Sequence, residues 1–428
     1  MKWLSVPLKV VAPPKASRQE FEPKQIVWHL TLDQIESQTG KIINKQLSPA
    51  SDAGSSTFVF DNGNVLYSKL RPYLNKVIHP QESGIATTEL IPLRPLENIL
   101  NENYLTYYLR SNIFLSFVKQ YTTGARMPRV IMDKFWEHYI PLPTLSEQRR
   151  IVEILDQADA LRRMRAEADA KGDRILPALF IKMFGDPSTN PMGWDVNTLG
   201  NLLTDIESGW SPKCESREAA AEEWGVLKLS SVTYGNFKPT ENKALLPGDS
   251  PRPNLEVKRG DLLFTRKNTH DLVGASAFVH KTRPRLMLPD LIFRLCLSNE
   301  LDPVYLWQLL SQKAMRYQLS ALAGGTAGSM PNISKARLRT LSIPVPPLNL
   351  QLKYREISNK FWETQQNQKT STQIINSLFQ TLLQRACSGE LTAKWREAHR
   401  KELLAEMEEQ AKALKLRDNA DPQQLSLL

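Results

Sequence analysis

The sequence predicts an α/β (α+β) protein of two similar globular domains, separated by two long helices that pack as an antiparallel coiled coil and related by an internal pseudo-two-fold repeat. Three observations predict it. The 428 residues exceed one domain at about 100 to 200 residues each. Met127-Pro128 followed by Ile140-Pro141-Leu142-Pro143-Thr144-Leu145 recurs as Met330-Pro331 followed by Ile343-Pro344-Val345-Pro346-Pro347-Leu348, at a constant offset of 203. Each Pro-rich turn then runs into a long segment of helical period.

The first domain, residues 1–145, mixes strand-like runs at Thr57 to Phe60 and Val65 to Ser68 with a helical run from Asn103 to Tyr121. Ser146 then caps a helix whose Ile151, Ile154, Leu155, Ala158, Leu161 and Met164 recur on one face. The run to Leu176 contains Gly172 but no proline, and at 1.5 Å per residue it spans ~46 Å. Residues 146–184 are therefore read as a spacer.

The second domain, residues 185–348, repeats the pattern with strand-like runs at Asp261 to Thr265 and Ala275 to His280, and a helical run from Asp302 to Leu322. Further pairs keep the register with small drifts: Trp3 and Leu8 with Trp194 and Leu199, Gly63-Asn64-Val65-Leu66 with Gly260-Asp261-Leu262-Leu263, and Tyr104-Leu105 with Tyr305-Leu306. From Asn349, Leu352, Ile357, Phe361, Ile374, Ile375, Leu378, Phe379 and Leu382 give the second spacer stripe, which suits an antiparallel pair; an ordinary core helix in each half is the alternative. Lys394 to Arg417 read as a charged helix, with Leu403, Met407, Ala411 and Leu414 on the side offered to a partner; a solvated helix is the alternative. Residues 349–417 form this last region, and 418–428 are expected to fray.

Lys and Arg number 55 against 45 acids, a formal charge of +10, with a pI near 9.3, which fits a polyanionic partner. Cys214, Cys296 and Cys387 are odd in number and widely spaced, so neither a disulfide framework nor a zinc site is expected. The opening residues carry no apolar leader and no run reaches ~18 apolar residues, so the expectation is a cytoplasmic protein. No Gly-rich dinucleotide turn, Walker loop or Asn-Pro-Pro-aromatic tetrapeptide occurs, and the six histidines form no HxxxH or HxH pair. No catalytic residue, metal site or cofactor site is expected. A nuclease carboxylate cluster is less distinctive in sequence, so the rivals kept open are a self-contained nuclease or methyltransferase and, separately, a coiled-coil scaffold with no DNA role.

Tyr67 to Lys76 follows a strand and offers Lys69, Arg71, Tyr73, Asn75 and Lys76. Arg and Asn can bond two atoms of one base edge, whereas Lys meets phosphate and Tyr gives a flat surface. The matching place in the second half carries Arg266, Lys267 and Asn268, so the position is shared and the chemistry differs, as two readers of two sequences require. A solvated turn and simple drift are the alternatives. The loops Thr122 to Arg129, with Arg126 and Arg129, and Gly324 to Asn332, with Thr326 and Asn332, are small and polar, and their backbone amides suit phosphate, a plain connection being the alternative.

The segment Ile140-Pro141-Leu142-Pro143-Thr144-Leu145-Ser146-Glu147-Gln148-Arg149-Arg150-Ile151-Val152 closely resembles the stretch after the first target recognition domain in specificity subunits of type I restriction-modification enzymes. Supporting matches are Leu66 to Leu74, Trp224 to Lys228, Leu263 to Asn268 and Gly389 to Arg396, so the likeness covers nearly the whole chain. It implies two target recognition domains reading the two parts of an asymmetric bipartite site in double-stranded DNA, with the helices setting the unread gap. Lys213 and Lys228 join the expected DNA contacts. The resemblance also implies two modification (methyltransferase) subunits that carry S-adenosylmethionine, and a restriction subunit, driven by ATP with magnesium, that those complexes can recruit. Glu147, Gln148, Arg149, Arg150 and Gln351 are the implied partner contacts. The second copy reads Pro346-Pro347-Leu348-Asn349-Leu350-Gln351, without the Ser-Glu-Gln and double arginine, which leaves the equivalence of the two partner surfaces open.

Overall fold

Runs rich in β-branched and aromatic residues become strands, and Thr57–Phe60 and Val65–Ser68 form over the residues the pattern indicates. The computed structural model describes residues 2–324 and 330–414. The chain divides into one unit of Met1–Arg165 with Ser371–Leu428 and another of Ala166–Thr370. Thr326 and the expected tail from Asp418 lie outside the described residues.

In the first unit Leu4–Pro7 pairs antiparallel with Tyr139–Leu142, tying the start of the unit to the Pro-rich turn. A four-stranded sheet runs in the order Leu47–Pro49, Ile26–Leu30, Gly84–Thr87, Thr57–Phe60, with one parallel pair, Trp28 opposite Gly84. A three-stranded sheet has Val65–Ser68 between Val77–Ile78 and Leu90–Leu93. The expected helix from Asn103 is two helices, Glu102–Arg110 and Asn112–Gln120. Ser111 interrupts them because its extended backbone leaves its hydroxyl free to cap the second helix at Phe114 N.

The second unit has the same plan. Asp195–Thr198 pairs antiparallel with Ser342–Val345. Four antiparallel strands run in the order Leu203–Ser208, Ile292–Leu297, Leu262–Thr265, Ser276–Phe278. Gly225–Leu227 lies between Asn242–Ala244 and Leu286–Met287. Pro303–Ser311 and Lys313–Leu322 again replace one expected helix.

The repeat is realised bond by bond. The Tyr104 hydroxyl donates to Pro141 O at 2.9 Å, and the Tyr305 hydroxyl to Pro344 O at 2.8 Å. Gln148 Oε1 accepts from Asn101 N, and Gln351 Oε1 from Asp302 N, both at 2.8 Å. Leu8 N donates to His138 O, and Leu199 N to Leu341 O. Residues at offsets near 191, 201 and 203 thus meet as equivalent pairs in space, which chance similarity of turn signals would not produce.

The first long helix spans Leu145–Gly172 and the next, Ile175–Phe184, follows after a break at Asp173 and Arg174. The second long helix is continuous over the 40 residues Leu348–Cys387. Thr144, not Ser146, sits at the first helix's N-terminus, its hydroxyl accepting from Glu147 N, and the second starts one residue before Asn349. In the first unit Arg162 lies over the Phe379 ring at 4.2 Å. In the second, Gln365 donates to Asp173 and the Tyr354 hydroxyl to Leu176 O. In the second unit Asp173 and Leu176 meet Gln365 and Tyr354, so the partners run in opposite senses, the antiparallel arrangement the sequence suggests. The apolar stripe is only partly used. Ile151 and Leu155 are buried with Phe379 and Leu383, while Leu161, Met164, Ile374 and Leu378 are exposed.

The expectation that the charged C-terminal helix offers its apolar side to a partner is corrected. In Arg400–Ala413, Leu403 is buried, and Met407, Ala411 and Leu414 pack on the first unit's own core. That stripe would otherwise leave apolar area in water at ~25 cal/mol per Å².

The cores carry a pH dependence. His138 is packed between Phe114 and Phe117, its Nε2 shares a hydrogen bond with the Tyr108 hydroxyl, and burial pushes its pKa down to about 4. His280 in the second unit is likewise lowered to about 4, by burial and then by Arg259. The fold favours the neutral rings, so the unfolded chain binds more protons between about 4 and about 6.5. Stability is expected to fall as pH drops through that window and to be insensitive to these groups above it. The urea midpoint measured from pH 7.5 to 4.5 checks this; His138→Gln should flatten the slope, and an unchanged slope would exclude His138 as a source.

Candidate nucleic-acid interface

After the buried strand Val65–Ser68 the chain turns sharply. Arg71 and Asn75 adopt left-handed backbone, φ 49° and 51°, on either side of a single turn Pro72–Leu74. Asparagine tolerates that conformation well. Arg71 N donates to Pro128 O at 2.7 Å, and Val130 N to Lys69 O at 3.1 Å, so the basic loop is fastened to the Met-Pro turn.

The second unit repeats this fastening. Asn268 N donates to Pro331 O at 3.3 Å and Ile333 N to Arg266 O at 2.8 Å. The bridges Leu70 with Arg129 and Lys267 with Asn332 are equivalent. Residues 57 to 67 positions apart in sequence are thereby set on one edge of each unit, next to its Met-Pro turn.

The candidate side chains fare differently. Arg71 is exposed and makes no side-chain hydrogen bond among the described residues; Tyr73 and Arg126 are also exposed. Lys69 is half-buried and adds to the field that holds the Glu89 carboxyl below its usual range, after the larger effect of the Arg129 hydrogen bond. Arg129 forks onto Glu89, with Nη2 at 2.7 Å, and is therefore partly engaged within the fold.

Two expectations are corrected. Asn75 is buried and its Nδ2 donates to Arg110 O at 2.9 Å, which caps a helix end and leaves the amide unable to reach a base. Asn268 is buried too, donating to the Thr233 hydroxyl and accepting from Thr269 N. Both amides fix their turns. Lys76 likewise donates to Leu32 O at 2.6 Å, and its half-buried ammonium is shifted below the usual lysine range by desolvation.

In the second unit Arg266 Nε donates to the Asn332 side chain at 3.2 Å, and its guanidinium sits 5.4 Å from the Phe293 ring. Lys335 shares that ring at 5.8 Å. Lys267 is half-buried beside them. Lys213 and Lys228 line a groove of 580 Å³ together with Lys243 and Ser211, and Lys228 is 3.8 Å from Glu241. Lys243 and Lys335 were not among the sequence candidates. For Lys335 the available signal was its place, three residues beyond Asn332 in a second basic turn.

The expected partner contacts divide sharply. Arg149 is exposed and Arg150 is half-buried, paired with Glu153 at 2.6 Å. Glu147, Gln148 and Gln351 are fully buried, so as partner contacts they are corrected: each satisfies groups inside its own unit. Glu147 accepts from Trp3 Nε1, the Thr392 hydroxyl and Arg396 Nε at 2.8, 2.6 and 2.7 Å. In the second unit Trp194 Nε1 donates to Phe184 O instead. The sequence departure at Asn349-Leu350 is therefore a different way of holding the tryptophan.

Among the described residues no group of three or more His, Cys, Asp or Glu could hold a metal ion, and no helix is long and apolar enough to cross a membrane.

Fold and loops together define a duplicated protein of mixed helix and sheet, with a basic loop fastened to a Met-Pro turn in each unit. Residues 39–168 match the family model described as type I restriction modification DNA specificity domain. The relatives the chain matches are specificity subunits of type I restriction-modification enzymes, to which this chain is similar over about two thirds of its length. It is 28% identical to the EcoEI specificity subunit of Escherichia coli over 364 residues, covering 63% of this chain and 61% of that subunit, so it spans about three fifths of that relative's length. It is 25% identical to the EcoKI specificity subunit of Escherichia coli strain K12, covering 71% and 68%. To the MjaVIII specificity subunit of Methanocaldococcus jannaschii it is 27% identical, covering 69% and 74%. The fold is shared with the type I system S subunit of M. genitalium, at a TM-score of 0.55 and 13% identity over 90% of this chain and 96% of that one. It is also shared with a chain from a structure of type I system assembly and conformational transition, at 0.57 and 20% over 91% and 98%.

Proposed function

We propose that this chain is the DNA-specificity subunit of a type I restriction-modification complex. Each unit reads one half of an asymmetric bipartite site in double-stranded DNA, and the chain itself performs no catalysis. The observation that carries this is the pair of basic loops fastened to equivalent Met-Pro turns by equivalent backbone bonds, with different side chains on each. An invariant frame with variable contacts is what two readers of two sequences require, because each base pair shows its own donor and acceptor pattern in the major groove.

Modification subunits, two per chain to match the two units, would carry S-adenosylmethionine and methylate adenine. A restriction subunit using ATP and magnesium would join that complex in the cytoplasm. Arg149 and Arg150, on the outer side of the first long helix, are the charged groups placed to meet a partner. The test is to sequence methylated adenines in cells carrying this chain and its modification subunit, against cells lacking only this chain. A two-part motif that vanishes on deletion supports the reading. An unchanged methylome overturns it and favours a scaffold; robust cleavage or methylation by the purified chain alone favours an enzyme.

Arg71 is the side chain best placed to read a base. Arg71→Ala is expected to relax specificity at one position by about 1–3 kcal/mol, the worth of one bidentate contact. Competition binding against singly substituted duplexes measures it. Equal weakening on every duplex, with a shallower salt dependence, would make Arg71 a phosphate clamp.

A further inference from the structure

The repeated Met-Pro pair is the sequence motif that base reading leaves unused. Met127 and Met330 are 50% and 52% exposed. In the first unit the hairpin Thr122–Thr123 with Arg129–Val130 closes beneath Met127. In the second, Gly324 and Asn332 exchange two backbone hydrogen bonds beneath Met330, at 3.0 and 2.8 Å. Gly124, at φ 103°, lies so near that a Cβ there would stand 3.0 Å from Met127 O. Each following proline carbonyl is gripped by the basic loop, at Arg71 N or Asn268 N. Two apolar side chains are thus left exposed next to anchored turns, where burying them in the protein would have been stabilising.

The polar residues around them differ between the units; the methionine does not. A residue common to two readers of different sequences cannot choose the base, so it serves something both half-sites need. Resting on the DNA-specificity reading above, we infer that Met127 and Met330 are apolar wedges that enter the duplex at the two half-sites and loosen base stacking there. Apolar side chains inserted between base steps unstack them at a cost of a few kcal/mol per step. The same disruption lowers the work of extruding a base for modification.

The experiment uses the full complex with its modification subunits, on duplexes carrying the bipartite site found from the methylome, with 2-aminopurine walked through each half-site. Wild type should raise fluorescence in both halves. Met127→Gln should abolish the rise in its own half-site only, and Met330→Gln in the other. Met→Leu at either position should restore it. The Gln variants should bind about tenfold more weakly, with the ratio of cognate to scrambled affinity unchanged and thermal unfolding unaltered. Fluorescence that is the same for wild type and both Gln variants overturns the wedge while leaving specificity intact. A wild-type complex that fails to prefer its cognate duplex instead overturns the underlying DNA-specificity reading. A ratio that collapses with Met127→Gln would make the methionine a base reader and also overturn the inference.

Discussion

Glu147→Ala is expected to destabilise the first unit by about 3–5 kcal/mol, the range for removing one partner of a buried ion pair. The carboxylate is fully buried and ties together three segments distant in sequence: Trp3 at the start, Glu147 on the long helix, and Thr392 and Arg396 near the end. Arg396 is 14% exposed; it lies over the Trp3 ring at 4.8 Å and donates to Gly389 O. Without Glu147 its charge is left desolvated and uncompensated. Glu147→Gln keeps one acceptor oxygen, able to serve Thr392 and Arg396 at the Oε1 position, and loses the charge and the acceptor at the Trp3 indole, so its cost should still be smaller. Urea unfolding followed by tryptophan fluorescence measures both. Equal effects of the two variants would mean that the charge, which both remove, holds the corner, and that the hydrogen bonds Gln keeps add nothing.

Gln351→Leu should cost more than Gln148→Leu, although the two glutamines are equivalent. Gln351 accepts from Asp302 N and donates to Glu300 O and Pro346 O at 3.1 and 2.8 Å. Asp302 N and Pro346 O are the buried two of these partners, and at about 1–3 kcal/mol per orphaned buried group their loss should cost roughly 2 kcal/mol or more. Gln148 accepts from Asn101 N and donates to Ile99 O and Pro143 O. Those two carbonyls also receive Gln410 Nε2 at 3.1 and 3.3 Å. Gln148→Leu therefore orphans one group, at about 1–3 kcal/mol. In a Gln410→Leu background the two glutamine variants should converge. Unfolding midpoints that start equal would show that the C-terminal helix lends no such support.

The repeat, the strand and helix classes, the two long helices and the position of the basic loops were legible in the residues. Each depends on local periodicity, on turn chemistry, or on self-similarity at a fixed offset. Proline and glycine at constant spacing marked the frame because only particular backbone angles close those turns. What stayed hidden was which polar side chain the fold would consume. Asn75 and Asn268 look like base readers by type, and Glu147, Gln148 and Gln351 look like surface contacts by family likeness. All five are buried.

By itself the sequence determined that this protein is a duplicated, basic, mixed α/β chain with no nucleotide loop and two differently equipped loops at equivalent places. Only the tertiary structure decided that Arg71 is left exposed while Asn75 is spent on Arg110 O, and that the C-terminal helix closes on the first unit. A buried amide or carboxylate must find partners, and those partners come from segments as far apart as Trp3 and Arg396, a pairing that no local pattern encodes.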